Sequence, residues 1–388
     1  DINMSQFTEK DKLNLLKDLV KIESVNDNEL EVCQYLHELF QQHDINSEII
    51  QLNDTRANLV AEIGTDGPVL GISGHMDVVA PGNKDNWTHD PFTLTEEDGK
   101  LYGRGAADMK SGLAAFVISM IDINASQSLK HGRIRLLATA GEEIAGEGAK
   151  AFHDKGYMDD VDALVIAEPS EDRIIYAHKG SMDIRVSSTG KAAHSSMPDL
   201  GFNAISPLVK FIYKIDEGFH KFDQTNETLG EPVLNATLFN GGTQVNSIPE
   251  YAESEFNIRT IPEHDNDQFV SYFKEVLQEV ETDKTDIEVD TYMSRPPVLT
   301  TGTNGLVKLA QNMGHQYLNA DLEALPSPGV TDASDLLQDK DENFPFIMFG
   351  PGHISQAHQV DEYVTKSTYL TFIDLFTEML PSYLENLK

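Results

Sequence analysis

The sequence predicts an α/β fold with a largely parallel sheet, broken by a smaller α+β insertion, and three observations carry that prediction. Short apolar runs alternate with helix-periodic segments over residues 1–179 and again over 295–388, the pattern of strands covered by helices. Between them, residues 180–294 change to the order β-α-β-β-α-β. At 388 residues the chain is also long enough for two or three domains.

Taken in order, Thr8 with Asp11 makes a helix-start box, and Leu13, Leu16, Leu19 and Val20 recur at helical spacing through Ile22. Leu30, Cys33, Leu36, Leu39 and Phe40 form the inner stripe of a second amphipathic helix. Apolar runs over 47–52, 58–63 and 69–73 read as strands. A helix is expected over 112–123, a buried strand over 134–139, a helix over 146–155 and a strand over 163–167. In the insertion, residues 181–187 alternate as a strand and 203–215 read as a helix. Strands follow over 233–239 and 252–260, then a helix over 265–280 and a last strand over 287–292, an order that makes a ferredoxin-like unit. After Arg295-Pro296-Pro297 the first pattern resumes, with helices near 306–312 and 333–337, a strand over 346–349 and a closing helix from Lys366 to about Leu387.

Composition narrows the function. With 40% hydrophobic and 24% charged residues the chain is globular, and no apolar run approaches the roughly 18 residues of a membrane span. The N-terminus lacks a signal pattern, so a soluble, cytoplasmic protein is expected, with Met4 as its natural start and Asp1, Ile2 and Asn3 as remnants ahead of it. The single Cys33 excludes an intrachain disulfide and a thiolate metal site, so any metal must sit on histidine and carboxylate. A net charge of −35 disfavours nucleic acid and anionic membranes as partners. An anionic substrate would need local Lys or Arg to hold it.

The candidate site starts in Val69–Val78, an apolar run that ends on a glycine and presents His75 and Asp77. Residues two apart on a strand share a face, so both can enter one pocket; the histidine can hold a metal, and Asp77 can receive the imidazole N–H or orient a nearby base. Four further segments put acids or histidine at or after the ends of expected strands, where open α/β sheets bind ligands. These carry Asp108 after Gly103-Arg104-Gly105-Ala106-Ala107, the pair Glu142-Glu143 after Gly141, Glu168 before Pro169, and His358 after Gly350-Pro351-Gly352. Two histidines and several carboxylates suit a pair of divalent ions, zinc first. Such ions lie about 3.5–4 Å apart in paired-metal hydrolases, which requires a bridging carboxylate. A carboxylate that is not a ligand must move the proton of the attacking water, and Glu142-Glu143 offers one residue for each duty.

These segments resemble a known family. Gly74-His75-Met76-Asp77-Val78-Val79, Leu101-Tyr102-Gly103-Arg104-Gly105 with Asp108-Met109-Lys110, Gly141-Glu142-Glu143 and Ala167-Glu168-Pro169 are similar, in order, to the motifs of the paired-zinc amidohydrolases and metallopeptidases. The likeness is to the branch of deacylases and desuccinylases. It implies a phosphorylase/hydrolase-like zinc-exopeptidase catalytic domain (1–179 and 295–388) interrupted by a dimerisation or lid domain (180–294). It further implies that His75 and Glu168 bind one metal, Glu143 and His358 the other, with Asp108 bridging, Glu142 as general base and Asp77 in support. Cobalt or manganese are alternatives to zinc. His194, in Gly190-Lys191-Ala192-Ala193-His194-Ser195, matches the histidine that reaches a partner subunit's site to stabilise the oxyanion. Asn246, Arg259 and the loop with Thr331 match substrate contacts, and Lys179 is a further cation able to hold a carboxylate. The implied activity is hydrolysis of a small N-acyl amino acid by a homodimer, N-succinyl-diaminopimelate first, N-acetylornithine and similar amides next, and di- or carboxypeptides after them. A non-catalytic binding protein on the same fold is the reading of another class.

Overall fold

The computed structural model describes residues 5–387, so the expected start at Met4 lies outside them. The chain divides into two compact units, Asp1–Ala177 with Thr300–Pro326 and Thr331–Lys388, and His178–Leu299 with Ser327–Val330.

The first unit opens with α1 (Glu9–Lys21) and α2 (Glu29–Gln42), followed by β1 (Ser47–Gln51), β2 (Ala57–Gly64), β3 (Val69–His75), β4 (Thr95–Glu97) and β5 (Lys100–Tyr102). Next come α3 (Lys110–Ser126), β6 (Arg133–Thr139), α4 (Glu147–Asp154), β7 (Val161–Ile166) and β8 (Arg173–His178). The second unit holds β9 (Gly180–Thr189), β10 (Ala193–His194), α5 (Ile205–Gly218), β11 (Val233–Gly241) and β12 (Ser247–Ile248). It continues with β13 (Tyr251–Thr260), α6 (Asn266–Val280), β14 (Asp286–Arg295) and β15 (Val298–Leu299). The remaining elements are α7 (Gly305–Leu318), β16 (Glu323–Ser327), α8 (Ala333–Leu336), β17 (Phe346–Met348), β18 (Tyr363–Thr365) and α9 (Lys366–Glu385).

The main sheet runs β1-β2-β6-β3-β7-β17-β8, with β16 beside β8. Strands β6, β3, β7 and β17 are parallel, whereas β2 is antiparallel to both its neighbours and β8 is antiparallel to β17. The sheet is therefore mixed, parallel in its middle only. The reason is local: β1 and β2 are joined by a turn of five residues, too short for the crossover a parallel pair requires. All seven residues of β3 are buried, as a strand covered on both faces must be. Helix α3 packs on β3 and against α1 and α9, which explains why Lys110 through Ile123 are buried all round. At Gly112 a Cβ would lie 2.1 Å from the Ala167 carbonyl oxygen, so only glycine lets α3 approach the end of β7 this closely. Helix α1 starts as expected, with Thr8 and Asp11 exchanging backbone and side-chain hydrogen bonds.

In the second unit the antiparallel sheet β11-β13-β9-β14 carries α5 and α6 on one face, the ferredoxin-like order. Met182, Ile184, Val186, Phe211, Phe256 and Phe273 are part of its core. Strand β11 is an edge, and most of its residues are exposed.

Candidate metal centre

His75 ends the buried strand β3 and is itself 1% exposed. Its Nδ1–H donates to the Asp77 carbonyl at 2.8 Å, which orients the ring and aims Nε2 into a group of carboxylates. That nitrogen lies 2.9 Å from Asp108 Oδ1, 3.3 Å from Glu168 Oε1 and 3.5 Å from Glu142 Oε2. On the far side of Asp108, His358 Nε2 lies 3.4 Å from Oδ2 and 3.0 Å from Glu143 Oε2. Two sets of donor atoms result, His75/Asp108/Glu168 and Asp108/Glu143/His358, each within 4.8 Å throughout. A third set, His75/Glu142/Glu143, meets the same criterion. Asp108 belongs to the first two and presents a different oxygen to each histidine.

The two glutamates are held by their backbone. Four consecutive amides, Ala140 to Glu143, each donate to a side chain: Asn58 Oδ1 at 3.0 Å, Glu29 Oε2 at 2.9 Å, then Asp77 Oδ1 at 3.1 Å and Oδ2 at 2.9 Å. The Asp77 carboxylate thereby fixes the turn that carries Glu142 and Glu143. It also stays beside the imidazole, with Oδ1 3.4 Å from His75 Nδ1, while the main-chain carbonyl of Asp77 accepts that nitrogen's proton at 2.8 Å. Gly141 adopts φ +75 in this turn, and a Cβ there would strike the Glu147 carboxylate.

Crowding carboxylates in a buried place shifts their ionisation. Burial, then the charge of Glu143, holds Glu142 well above the usual range despite His75, and burial with the charge of Asp108 does the same for Glu143. Glu168 is pushed up to about 7 by burial, against the pull of His75. Asp108 stays well below the ordinary value because hydrogen bonds from His358 and His75 outweigh its burial. Without a cation this cluster must hold protons in place of charge; with divalent cations every carboxylate can ionise. A donor set of imidazole nitrogen and carboxylate oxygen, free of thiolate, fits divalent zinc, cobalt or manganese.

The remaining expected residues divide between the two units. Thr331 is in the first unit, 5% exposed, and its Oγ1 accepts the Ala333 N–H. The other four belong to the second unit. His194 and Asn246 come together there: His194 pairs with Ser247, and the Asn246 carbonyl accepts the Ser195 N–H. His194 Nδ1 accepts the Ser196 N–H at 3.1 Å, which places the ring proton on Nε2. Arg259 sits on β13, its Nε donating to Asn257 Oδ1, and the Lys179 ammonium donates to the Glu231 carbonyl. Sequence reasoning missed Glu29 and Asn58 altogether and gave no role to Arg104 or Glu362.

A mixed α/β sheet with histidine–carboxylate donors gathered at and beyond the ends of its parallel strands describes an α/β protein of metal-binding type. Residues 71–382 match Peptidase family M20/M25/M40, and the chain belongs to that family. A "Probable succinyl-diaminopimelate desuccinylase" from Staphylococcus aureus (strain N315) is 44% identical, over 98% of this chain and 100% of that one. A "Succinyl-diaminopimelate desuccinylase" of Wolbachia pipientis wMel is 30% identical, over 96% and 93%. Among solved structures, an M20 family metallo-carboxypeptidase from Sulfolobus solfataricus shares the fold with a TM-score of 0.84 at 20% identity, over 96% of this chain and 99% of that one. A tripeptidase from Staphylococcus aureus shares it at 0.75 and 24%, over 97% and 99%.

Proposed function

We propose that this chain is a two-metal amide hydrolase that removes the succinyl group from N-succinyl-diaminopimelate. The observation that carries the reading is the shared aspartate: Asp108 offers one oxygen to the His75/Glu168 side and the other to the Glu143/His358 side, with Glu142 beside both. The substrate is argued from the 44% identity, over nearly the whole chain, to relatives named for that activity.

In this reading His75 and Glu168 would hold one cation and Glu143 and His358 the other, Asp108 being shared, with zinc foremost and cobalt or manganese able to replace it. When bound, such a pair would supply Lewis acidity to the amide carbonyl and to a water near neutral pH. Glu142 takes the proton of the attacking water and returns it to the departing amine nitrogen as the C–N bond breaks. Its carboxylate, 3.5 Å from His75 Nε2 and assigned to neither cation, is placed for both halves of the task. Asp77 keeps the Glu142 turn in register. His194, with its proton on Nε2, is a hydrogen-bond donor suited to the developing oxyanion of a partner subunit's substrate. Lys179, Arg259, Asn246 and Thr331 bind the substrate's carboxylates, cations being necessary in a chain of net charge −35. The protein works as a homodimer through the inserted domain, on a small molecule rather than on nucleic acid or membrane, and in the cytoplasm. Among the described residues no helix is long and apolar enough to cross a membrane.

A panel of N-succinyl-diaminopimelate, N-acetylornithine and dipeptides, each run with zinc, cobalt and manganese, tests the proposal. The succinyl substrate is expected to turn over fastest. Turnover of dipeptides alone would overturn the substrate assignment, and bound metal without turnover of any amide would overturn the reaction.

A further inference from the structure

We infer that Arg104 and Glu362 form a clamp that assembles the metal site before any cation arrives, and that the clamp sets the affinity of its His358 half. The inference rests on the two-cation reading. Glu362 has no exposed surface and Arg104 is 2% exposed. Glu362 Oε2 accepts the N–H groups of Ala107 at 2.8 Å and Asp108 at 2.9 Å. Its Oε1 accepts Arg104 Nη1 at 2.7 Å and the Gly105 N–H at 3.2 Å. Arg104 Nη1 also donates to the Gln359 carbonyl at 3.0 Å and Nη2 to the Ala80 carbonyl at 3.2 Å. The guanidinium lies over the Trp87 ring, 5.1 Å from its centre. The same two segments are joined by backbone as well, Gly103 N–H to the Glu362 carbonyl and Tyr102 opposite Tyr363 in β5 and β18.

One carboxylate therefore holds the backbone of the bridging aspartate from a position four residues beyond His358. Burying an ion pair contributes little net stability, because desolvation offsets the attraction; what it supplies is a fixed geometry. The two halves of the site need that geometry unequally. His75 ends β3 and Glu168 follows β7, so the sheet itself places them. His358 is on a loop, at φ +65, with its side chain 53% exposed. Its distance from Asp108 depends on the clamp, which grips the chain on both sides of that gap. Losing the clamp should accordingly weaken the Asp108/Glu143/His358 half more than the His75 half, which shares Asp108 but keeps two donors placed by the sheet.

The test measures zinc per chain by atomic emission and the stepwise dissociation constants by calorimetry, in the wild-type chain, Glu362→Gln and Arg104→Lys. A glutamine places an amide NH2 against donors that Glu362 now accepts, and lysine keeps the charge without the fork. The expected result is two ions in the wild type, and in Glu362→Gln a first constant within about threefold with the second weakened about 10- to 100-fold. Arg104→Lys should lie between the two. Unchanged stepwise constants in Glu362→Gln would overturn the clamp. Hydrogen exchange of the wild-type chain gives a second test that needs no variant. The Ala107 and Asp108 amides should be as protected in metal-stripped protein as in loaded protein; protection that appears only on loading overturns the inference. A wild-type chain that takes up a single ion overturns the two-cation reading instead, and the exchange result then decides the clamp by itself.

Discussion

At the scale of single residues, Glu142 separates binding from turnover. Glu142→Gln keeps the shape and leaves His75, Asp108, Glu143, Glu168 and His358 in place, so metal content should stay while kcat falls by about 10²–10⁴. Metal analysis beside steady-state kinetics checks this, and near-normal turnover would remove Glu142 from its role. A second residue, in the second unit, carries a pH dependence of its own. His178 has no exposed surface and donates Nδ1–H to the Lys179 carbonyl, and burial, aided by the charges of Arg295 and Arg259, lowers its pKa from 6.5 to about 4. Unfolding frees the ring to take a proton below its ordinary value. Its contribution to stability is thus complete above about 6.5 and is lost as pH falls toward 4, by about 3 kcal/mol over that interval. Urea midpoints of His178→Gln should fall less steeply with acidification than those of the wild type; parallel curves would refute the assignment. The sequence made His75, Glu142, Glu143 and Glu168 legible because each stands at or just after the end of a strand run, whereas Asp108 and His358 are legible through the glycine-rich segments before them and the family resemblance. Glu29, Asn58 and Glu362 left no such mark. Each accepts hydrogen bonds from backbone amides, which every residue possesses and no pattern reveals.

At the scale of elements, α1 and α3 depend on one another through Lys110. Its buried ammonium donates to the Leu19 and Ile22 carbonyls at 2.7 and 2.9 Å, groups that the end of α1 leaves without helical partners. Lys110→Met fills the space but strands the Leu19 carbonyl and leaves the Ile22 carbonyl with the Ser24 N–H alone, and should cost about 1–3 kcal/mol of unfolding free energy. Equal denaturant midpoints for variant and wild type would show that water replaces the ammonium. Periodicity revealed the long elements, since a stripe repeats several times along α1, α2, α5 and α6. It failed for β4, β5 and β18, three residues each, in which no repeat can complete itself. Those short strands nevertheless bring the Asp108 loop to Glu362. The expectation of a largely parallel sheet failed at the edges for a related reason: apolar runs report burial, and strand direction follows from connections.

At the scale of the whole molecule, the buried carboxylates tie stability to metal. Cations that bind only the folded chain stabilise it by about 2.7 kcal/mol for each site filled at a hundred times its dissociation constant. Chelation should lower the melting temperature of the first unit by several degrees and leave that of the second in place, which scanning calorimetry resolves as one moving and one fixed transition. Coincident shifts of both would mean that the units unfold together. The net charge of −35 was open to view from composition, and it limits partners more than it shapes the fold.

The donors come from positions 75, 108, 143, 168 and 358, so the last of them is separated from the others by the entire insertion. During synthesis a ribosome must therefore make the whole insertion before His358 and Glu362 can join the donors that precede it. Until then the growing chain can offer His75, Asp108, Glu143 and Glu168 alone, and a product cut short before His358 would lack the second imidazole.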